Sequence, residues 1–391
     1  MSSFLFTLLL FLAPAEHQDN WAEVKKEAQK AVRNPVPRVR REAVEALSGF
    51  DRKEAAELLL DLTKYAVVGI FEVLRNYWFF RKLFHETIGC IQKFRPQAVL
   101  LVDYPGFNLR LADALRQRGI SKKGGGAVRL LQYVSPQLWA WKPKRRFQMA
   151  RNLDALGVIF PFETETYADV DLPVQFVGHP FARDDYEPTL SQDPEAPVLL
   201  LPGSRKQPVG RIFPALLKAF LLAAKERPDL RAQVVCPNDE LYQLVSGIIA
   251  HRAGGRDKVT ICGNDEKVAA SAVLTSSGTM SLACAMAGIP GAIAYRAHPL
   301  TYLLGRMLVQ IPHLGMANIL LPDMPIYPEF IQGDAKPVQL AQRLLRCLDD
   351  PAEKSKAKEA AAKLAKLLAQ PADLSVADWL LAEGGLGEPV N

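Results

Sequence analysis

Two rhythms of apolar and polar positions take turns along this chain. Residues 98–102 (Ala-Val-Leu-Leu-Val) are apolar without a break, the pattern of a strand buried on both faces of a parallel sheet. Residues 108–118 then repeat apolar side chains every three or four positions and stop at Gly119, which predicts a helix. The alternation continues. Strands are expected at 130–134, 155–159, 198–201, 233–236, 259–262, 272–274 and 291–294, with helices at 209–225, 240–253, 278–287 and 300–309 among them. Repeated strand–helix–strand order predicts an α/β fold with doubly wound parallel sheets. The strands are too many for one compact domain. Residues 183–197 are acidic and contain proline, so the linker is placed there, between Rossmann-like domains at 65–182 and 183–350. Residues 336–370, rich in Ala, Lys and Leu, read as helical, and 351–391 is expected to be a C-terminal helical extension.

Residues 1–64 have another texture. Residues 4–15 form an apolar stretch ending in Ala13-Pro14-Ala15, a pattern like that of a secretory leader but without its basic start; a frayed apolar terminus reads equally well. Val39, Ala43, Val44, Leu47 and then Ala55, Leu58, Leu59, Leu62 trace two short amphipathic helices, resembling one HEAT-type unit. A single such unit cannot bury its own face. Residues 70–94 predict a long helix whose bulky side chains include Phe71, Leu74, Trp78 and Phe79, with Arg75, Arg81, Lys82 and Lys93 among them.

Composition narrows the classes. Of 391 residues, 49% are hydrophobic and 23% charged, which excludes collagen, a pure coiled coil and wholesale disorder. A net charge of +6 is too small to predict a nucleic-acid partner, yet it suits an anionic substrate or membrane surface. Cys90, Cys236, Cys262, Cys284 and Cys347 are scattered with no C-x-x-C pair, which argues against a disulfide framework or a zinc site. No apolar run reaches the roughly 18 residues that span a bilayer.

Four places invite chemistry. Leu201-Pro-Gly-Ser-Arg-Lys206 joins an expected strand to an expected helix; its small residues let backbone N–H groups approach an anion, and Arg205 suits a phosphate. Thr275-Ser-Ser-Gly-Thr279 also leaves a strand and opens a helix, where hydroxyls, N–H groups and the helix dipole favour a diphosphate or simply cap the helix. Asp103 closes a strand before a Pro-Gly turn, as a general base or as a turn-former. Trp139 and Trp141, with Lys142, Lys144, Arg145, Arg146 and Arg151, make an aromatic–basic cluster fit for a phosphate or an anionic membrane. Asp169-Val-Asp171 follows no strand end and predicts no metal site. His179 reads as a structural hinge group.

Taken together, these runs resemble the lipid-A-disaccharide synthase family of GT-B glycosyltransferases over about residues 65–345. They are Asp103-Tyr-Pro-Gly-Phe-Asn-Leu-Arg-Leu-Ala112, Tyr133-Val-Ser-Pro-Gln-Leu-Trp-Ala-Trp141, Pro161-Phe-Glu163, Phe176-Val-Gly-His-Pro180, Leu201-Pro-Gly-Ser-Arg205, Ser277-Gly-Thr279, Tyr295-Arg296, Asn318-Ile-Leu320 and Pro328-Glu-Phe-Ile-Gln332. The resemblance implies two Rossmann-like domains facing a cleft. It implies transfer from UDP-2,3-diacylglucosamine to 2,3-diacylglucosamine 1-phosphate, with inversion, release of UDP and no metal or cofactor. Asp103 would be the base. Arg205, Ser204, Ser277, Gly278 and Thr279 would hold the leaving UDP, and Asn318, Glu329 and Gln332 would line the nucleotide-sugar cleft. Phe71, Leu74, Trp78, Phe79, Trp139 and Trp141 would meet acyl chains or membrane. The expected place is the cytoplasmic face of the inner membrane, held peripherally, with homo-oligomerisation left open.

Two positions depart from the family's pattern. The first 64 residues carry no Gly-Glu-x-Ser-Gly-Asp loop, which predicts an open sheet edge and impaired turnover. Ala283 stands where a ribose-bonding Glu is frequent. The alternatives are another UDP-sugar GT-B enzyme, or a nucleotide- or lipid-binding remnant or fusion with impaired catalysis.

Overall fold

The computed structural model describes residues 9–12, 77–183, 186–252, 254–263, 266–276, 278–297, 302, 311–372 and 374–385. They fall into two bodies, one drawn from Phe4–Arg183 and Ala369–Asn391, the other from Asp184–Leu368.

The first body is built on a five-stranded sheet in the order β1-β2-β3-β4-β5. Strands β2 (Ala98–Val102), β3 (Arg129–Tyr133), β4 (Ala155–Val158) and β5 (Val174–Phe176) are parallel. Helices α1 (Tyr77–Phe94), α2 (Pro105–Gln117) and α3 (Arg145–Asn152) connect and cover them. All five residues of β2 are buried, as its unbroken apolar run requires. Val99, Leu101, Leu130, Leu156 and Val158 pack with Leu111, Leu115 and Met149 in one core.

The expected open edge is not found. Strand β1 (Leu9–Leu12) runs antiparallel along β2, with Leu9 opposite Leu101 and Leu12 opposite Ala98. Four residues of the N-terminal apolar stretch thus occupy the ladder of β2 that was expected to be bare. The two HEAT-like helices, Phe71 and Leu74 lie outside the described residues.

The second body has six parallel strands in the order β13-β12-β11-β7-β8-β9. In chain order they are β7 (Val198–Leu201), β8 (Ala232–Cys236), β9 (Val259–Gly263), β11 (Val273–Thr275), β12 (Gly291–Tyr295) and β13 (Glu329–Ile331). Starting from β7, the chain winds outward through β8 and β9, then returns to β7's other side and continues through β11 to β13. This is the doubly wound dinucleotide-fold order, with its switch point between β7 and β11. Two short strands, β6 (Leu190–Gln192) and β10 (Val268–Ala270), pair in parallel beside it. Strand β6 falls within the expected linker, because a three-residue strand leaves too short an apolar signature.

Helix α4 (Lys206–Glu226) follows β7. Its Val209, Ile212, Phe213, Leu216, Leu217 and Phe220 are buried, a three-to-four spacing that gives it one apolar face. Helices α5 (Asp239–Ala250), α6 (Thr279–Met286), α7 (Met316–Leu320), α8 (Pro337–Asp349) and α9 (Pro351–Leu368) complete the body. The helical stretch expected at 336–370 breaks at Asp350, where Pro351 opens a new helix. Arg343 and Glu353 join α8 to α9 through a two-pronged ion pair at 2.6 and 2.7 Å.

Helix α10 (Val376–Gly384) then belongs to the first body, so the expected C-terminal extension divides between the two bodies. Its Trp379 is fully buried against β4. A Cβ on Gly157 would sit 3.2 Å from that indole, which explains a glycine within a strand.

Candidate functional site

Both bodies gather their chemistry at the carboxyl ends of their parallel strands, where ligands bind in open α/β sheets. In the second body the turns after β7 and β11 meet at the switch point. The Ser276 N–H donates to the Leu201 carbonyl at 2.8 Å, tying one turn to the other. Gly203 has φ 111°, and a Cβ there would lie 3.1 Å from Ser276 Oγ. Gly278, at φ 155° and ψ −177°, occupies a backbone region open essentially to glycine alone. These glycines let the chain turn sharply into two helix N-termini. Arg205 precedes the first residue of α4, and Gly278 precedes Thr279, the first of α6. Both ends direct backbone N–H groups and the positive dipole toward the same end of the sheet, an arrangement suited to a diphosphate. Ser204 is exposed and Arg205 half-buried; Ser277 lies outside the described residues. Burial raises the Tyr295 phenol at the end of β12, while nearby Arg211 and Arg205 lower it, so these cations share its neighbourhood.

Asn318, Glu329 and Gln332, expected to line the nucleotide-sugar cleft, each bond backbone of a neighbouring segment. The Glu329 carboxylate accepts from the N–H groups of Leu314 and Gly315 at 2.8 and 2.9 Å, and from Asn318 Nδ2 at 2.9 Å. Asn318 is fully buried and also bonds both the N–H and the C=O of Tyr327. Gln332 bonds both backbone groups of Ala297. These side chains brace segments at the strand ends. Ala283 is buried within α6.

In the first body Asp103 follows β2 directly. It is 7% exposed, so a carboxylate sits here at the edge of the interior. Asp103 and Tyr104 have φ 47° and 40°, and Val134, after β3, has φ 69°. Left-handed backbone is costly for residues with a Cβ, most of all for β-branched valine. Two buried amides hold it. Asn108 Nδ2 donates to the carbonyls of Asp103 at 2.6 Å and Val102 at 3.2 Å. Gln132 Nε2 lies at 3.2–3.3 Å from the carbonyls of Asp103, Tyr133 and Val134. The strand ends are thus clamped in the conformation that presents Asp103. Gln132 and Asn108 were not singled out as site residues, since neither carries a charge and the partners of each come near only in the fold.

Around this end lies an aromatic and basic surface. Tyr104 stacks with Phe107, which meets Phe84 of α1 edge-on at 5.7 Å. Phe79 and Phe80 are half-buried, whereas Trp78 is 72% and Tyr77 50% exposed, with Arg81 over the Trp78 ring at 5.5 Å. In the segment after β3, Lys142 Nζ and Arg145 Cζ lie 4.6 and 5.3 Å from the Trp141 ring centre. Trp139 is half-buried, and its indole N–H donates to Glu163 at 3.2 Å.

Glu163 is itself fully enclosed. Burial pushes its carboxyl up to about 8, against the N–H groups of Trp139, Phe160 and Ile159, which favour the charged form. His179 is nearly as enclosed, and burial lowers it to about 3. Its Nδ1 accepts from the Phe181 N–H at 3.1 Å, and its ring packs between Phe160 and Phe181. Asp169 of the D-x-D is held by Arg146 in a two-pronged ion pair, which accounts for its carboxylate without a metal. Among the described residues no cluster of His, Cys, Asp and Glu is arranged to hold a metal ion, and no helix is long and apolar enough to cross a membrane.

The family model described as Lipid-A-disaccharide synthetase matches residues 48–378, a span wider than the quoted motifs. A Geobacter sulfurreducens protein named lipid-A-disaccharide synthase is 36% identical over 322 residues, covering 78% of this chain and 80% of its own length. A Legionella pneumophila lipid-A-disaccharide synthase 1 is 33% identical over 342 residues, covering 85% and 87%. Among solved structures, a Staphylococcus aureus MnaA–UDP co-structure superposes with a TM-score of 0.50 at 13% identity, covering 84% of this chain and 83% of that one, and shares the fold.

Proposed function

The chain belongs to the lipid-A-disaccharide synthase family, and on that premise we propose how its residues divide the work of joining UDP-2,3-diacylglucosamine to 2,3-diacylglucosamine 1-phosphate. It is a glycosyltransferase of GT-B architecture that forms the lipid A disaccharide. In our reading Asp103 takes the proton from the acceptor 6-hydroxyl as that oxygen attacks the anomeric carbon of the donor. The bond from that carbon to the UDP oxygen breaks on the opposite side, so the configuration inverts in one displacement. The departing diphosphate gathers negative charge. The Arg205 guanidinium and the N-termini of α4 and α6 would stabilise it. Asn318, Glu329 and Gln332 would shape the donor side by bracing its segments.

The observation that supports Asp103 most is the clamped left-handed backbone at the end of β2: strain of this kind persists where surrounding hydrogen bonds enforce it and clusters at active sites. In the same reading Trp78, Phe79 and their basic neighbours meet acyl chains and the inner-membrane surface, where exposed aromatics beside cations are stable. The test supplies both acylated sugars to the purified protein and follows UDP release and disaccharide formation. Wild type turns over and Asp103→Ala loses about 10²–10⁴-fold in kcat, the usual share of a general base. Full turnover by Asp103→Ala refutes the assignment.

A further inference from the structure

The segment that leaves β3 treats its basic residues unequally. Arg146 has a carboxylate partner, Asp169. Arg145, next to it, is half-buried and lies over the Trp141 ring at 5.3 Å. Lys142 shares that ring at 4.6 Å, on backbone held at φ 53°. Arg110 of α2 is the third member, close enough to Arg145 for the two cations to repel. Among the described residues no carboxylate stands within ion-pair distance of Arg110, Lys142 or Arg145. A guanidinium withdrawn from water with its N–H fork unmatched is costly unless an anion completes it.

The cluster's place points to which anion. Residues 134–142 leave the carboxyl end of β3, beside the end of β2 that bears Asp103; the Asp103 N–H bonds the Tyr133 carbonyl at 2.9 Å. Arg110 lies five residues beyond Pro105, about 7.5 Å along the helix at 1.5 Å per residue, and helical side chains lean back toward the N-terminus. The cations therefore lie on the same end of the same body as the carboxylate. An acceptor whose hydroxyl meets Asp103 carries a phosphate monoester at the far side of its sugar ring.

We propose that Arg145 and Lys142, organised on the Trp141 ring, together with Arg110, form the site for the phosphate monoester of the acceptor and make the enzyme selective for a phosphorylated sugar. The proposal rests on the acceptor-side reading given above. Arg145 supplies the two-pronged contact, Arg110 and Lys142 supply charge, and the indole fixes the fork while excluding water.

The test compares 2,3-diacylglucosamine 1-phosphate with 2,3-diacylglucosamine lacking the phosphate, dispersed in neutral detergent, on wild type, Arg145→Gln and Arg145→Lys. Calorimetric binding of each acceptor is measured beside turnover, so the site is read even where chemistry is slow. Wild type is expected to bind the phosphorylated sugar more tightly. Arg145→Gln should weaken that binding by about 10–100-fold, the range of a lost charge-assisted contact, and leave the unphosphorylated sugar within about threefold. Arg145→Lys should recover part of the loss, since it keeps the charge without the fork. Equal weakening toward both sugars, or unchanged preference for the phosphate, overturns the proposal. Sedimentation with phosphatidylglycerol and phosphatidylcholine vesicles separates the other source of phosphate. If Arg145→Gln releases the anionic vesicles while keeping acceptor selectivity, the cluster reads membrane lipid and the proposal fails. Wild type that binds the phosphorylated acceptor but releases no UDP contradicts the proposed function and leaves this site standing.

Discussion

The two bodies solve the same backbone problem with different residues. Where the chain must turn sharply in the second body, it uses Gly203 and Gly278, whose φ of 111° and 155° cost little without a Cβ. In the first body, Asp103, Tyr104 and Val134 enter the left-handed region with side chains attached, and the Gln132 and Asn108 amides hold them there. The difference follows from what each turn offers. A turn that binds an anion through its own N–H groups gains from having no side chain in the way. A turn that must present a carboxylate cannot be glycine, so strain is accepted and hydrogen bonds offset it.

The comparison breaks most sharply at Gln132. Gln132→Met keeps the bulk and removes the donor, so kcat should fall by about 100-fold while donor affinity stays put, because the loosened strand end no longer aims the base. In an Asp103→Asn background the same substitution should add little to the loss in kcat; additive losses would show that Gln132 acts on stability alone. At the donor side Arg205→Ala should raise the donor KM by about 10–30-fold, the range of a lost charged contact, and leave acceptor binding unchanged. Gly203→Ala should have a milder effect of the same kind, about tenfold, since it adds both left-handed strain and a Cβ 3.1 Å from Ser276 Oγ. If Gly203→Ala disturbed acceptor and donor binding alike, the division between the bodies would be wrong.

The effects on stability concern pH and confine themselves to the first body. Folded Glu163 holds its proton up to about 8, far above the ordinary 4.5, so the native state binds more proton than the unfolded chain between those values. Stability should therefore fall as pH climbs through that window and level off above it. His179 works in the opposite direction: lowered to about 3 from 6.5, it costs stability as pH drops across that span. Melting curves of Glu163→Gln should lose the alkaline slope, and those of His179→Gln the acidic one, each slope being on the order of a few kcal/mol across its window. A wild-type melting temperature flat from pH 5 to 8 contradicts the Glu163 account.

Much of the fold was legible because its signals are local. The run at 98–102 is the strand β2 residue for residue, and 198–201 is β7. Sheet order was not legible, because nothing in an apolar run names its neighbour. The N-terminal stretch shows this best: four residues that read as leader or frayed end form the antiparallel edge of a parallel sheet. The motifs around Asp103, Arg205 and Gly278 were visible as strand-to-helix turns. The duties of Asn318, Glu329, Gln132 and Asn108 were not, because each bonds partners that only the tertiary fold brings near.

In the proposed mechanism a carboxylate does the chemistry in one body while the other body grips the nucleotide. Measuring donor affinity and turnover side by side in Asp103→Asn tests it most directly. The expected result is a donor dissociation constant within about twofold of wild type with kcat down by about 10³, as befits a residue that acts on the acceptor in the transition state. Turnover that survives, or donor affinity that falls together with kcat, contradicts it.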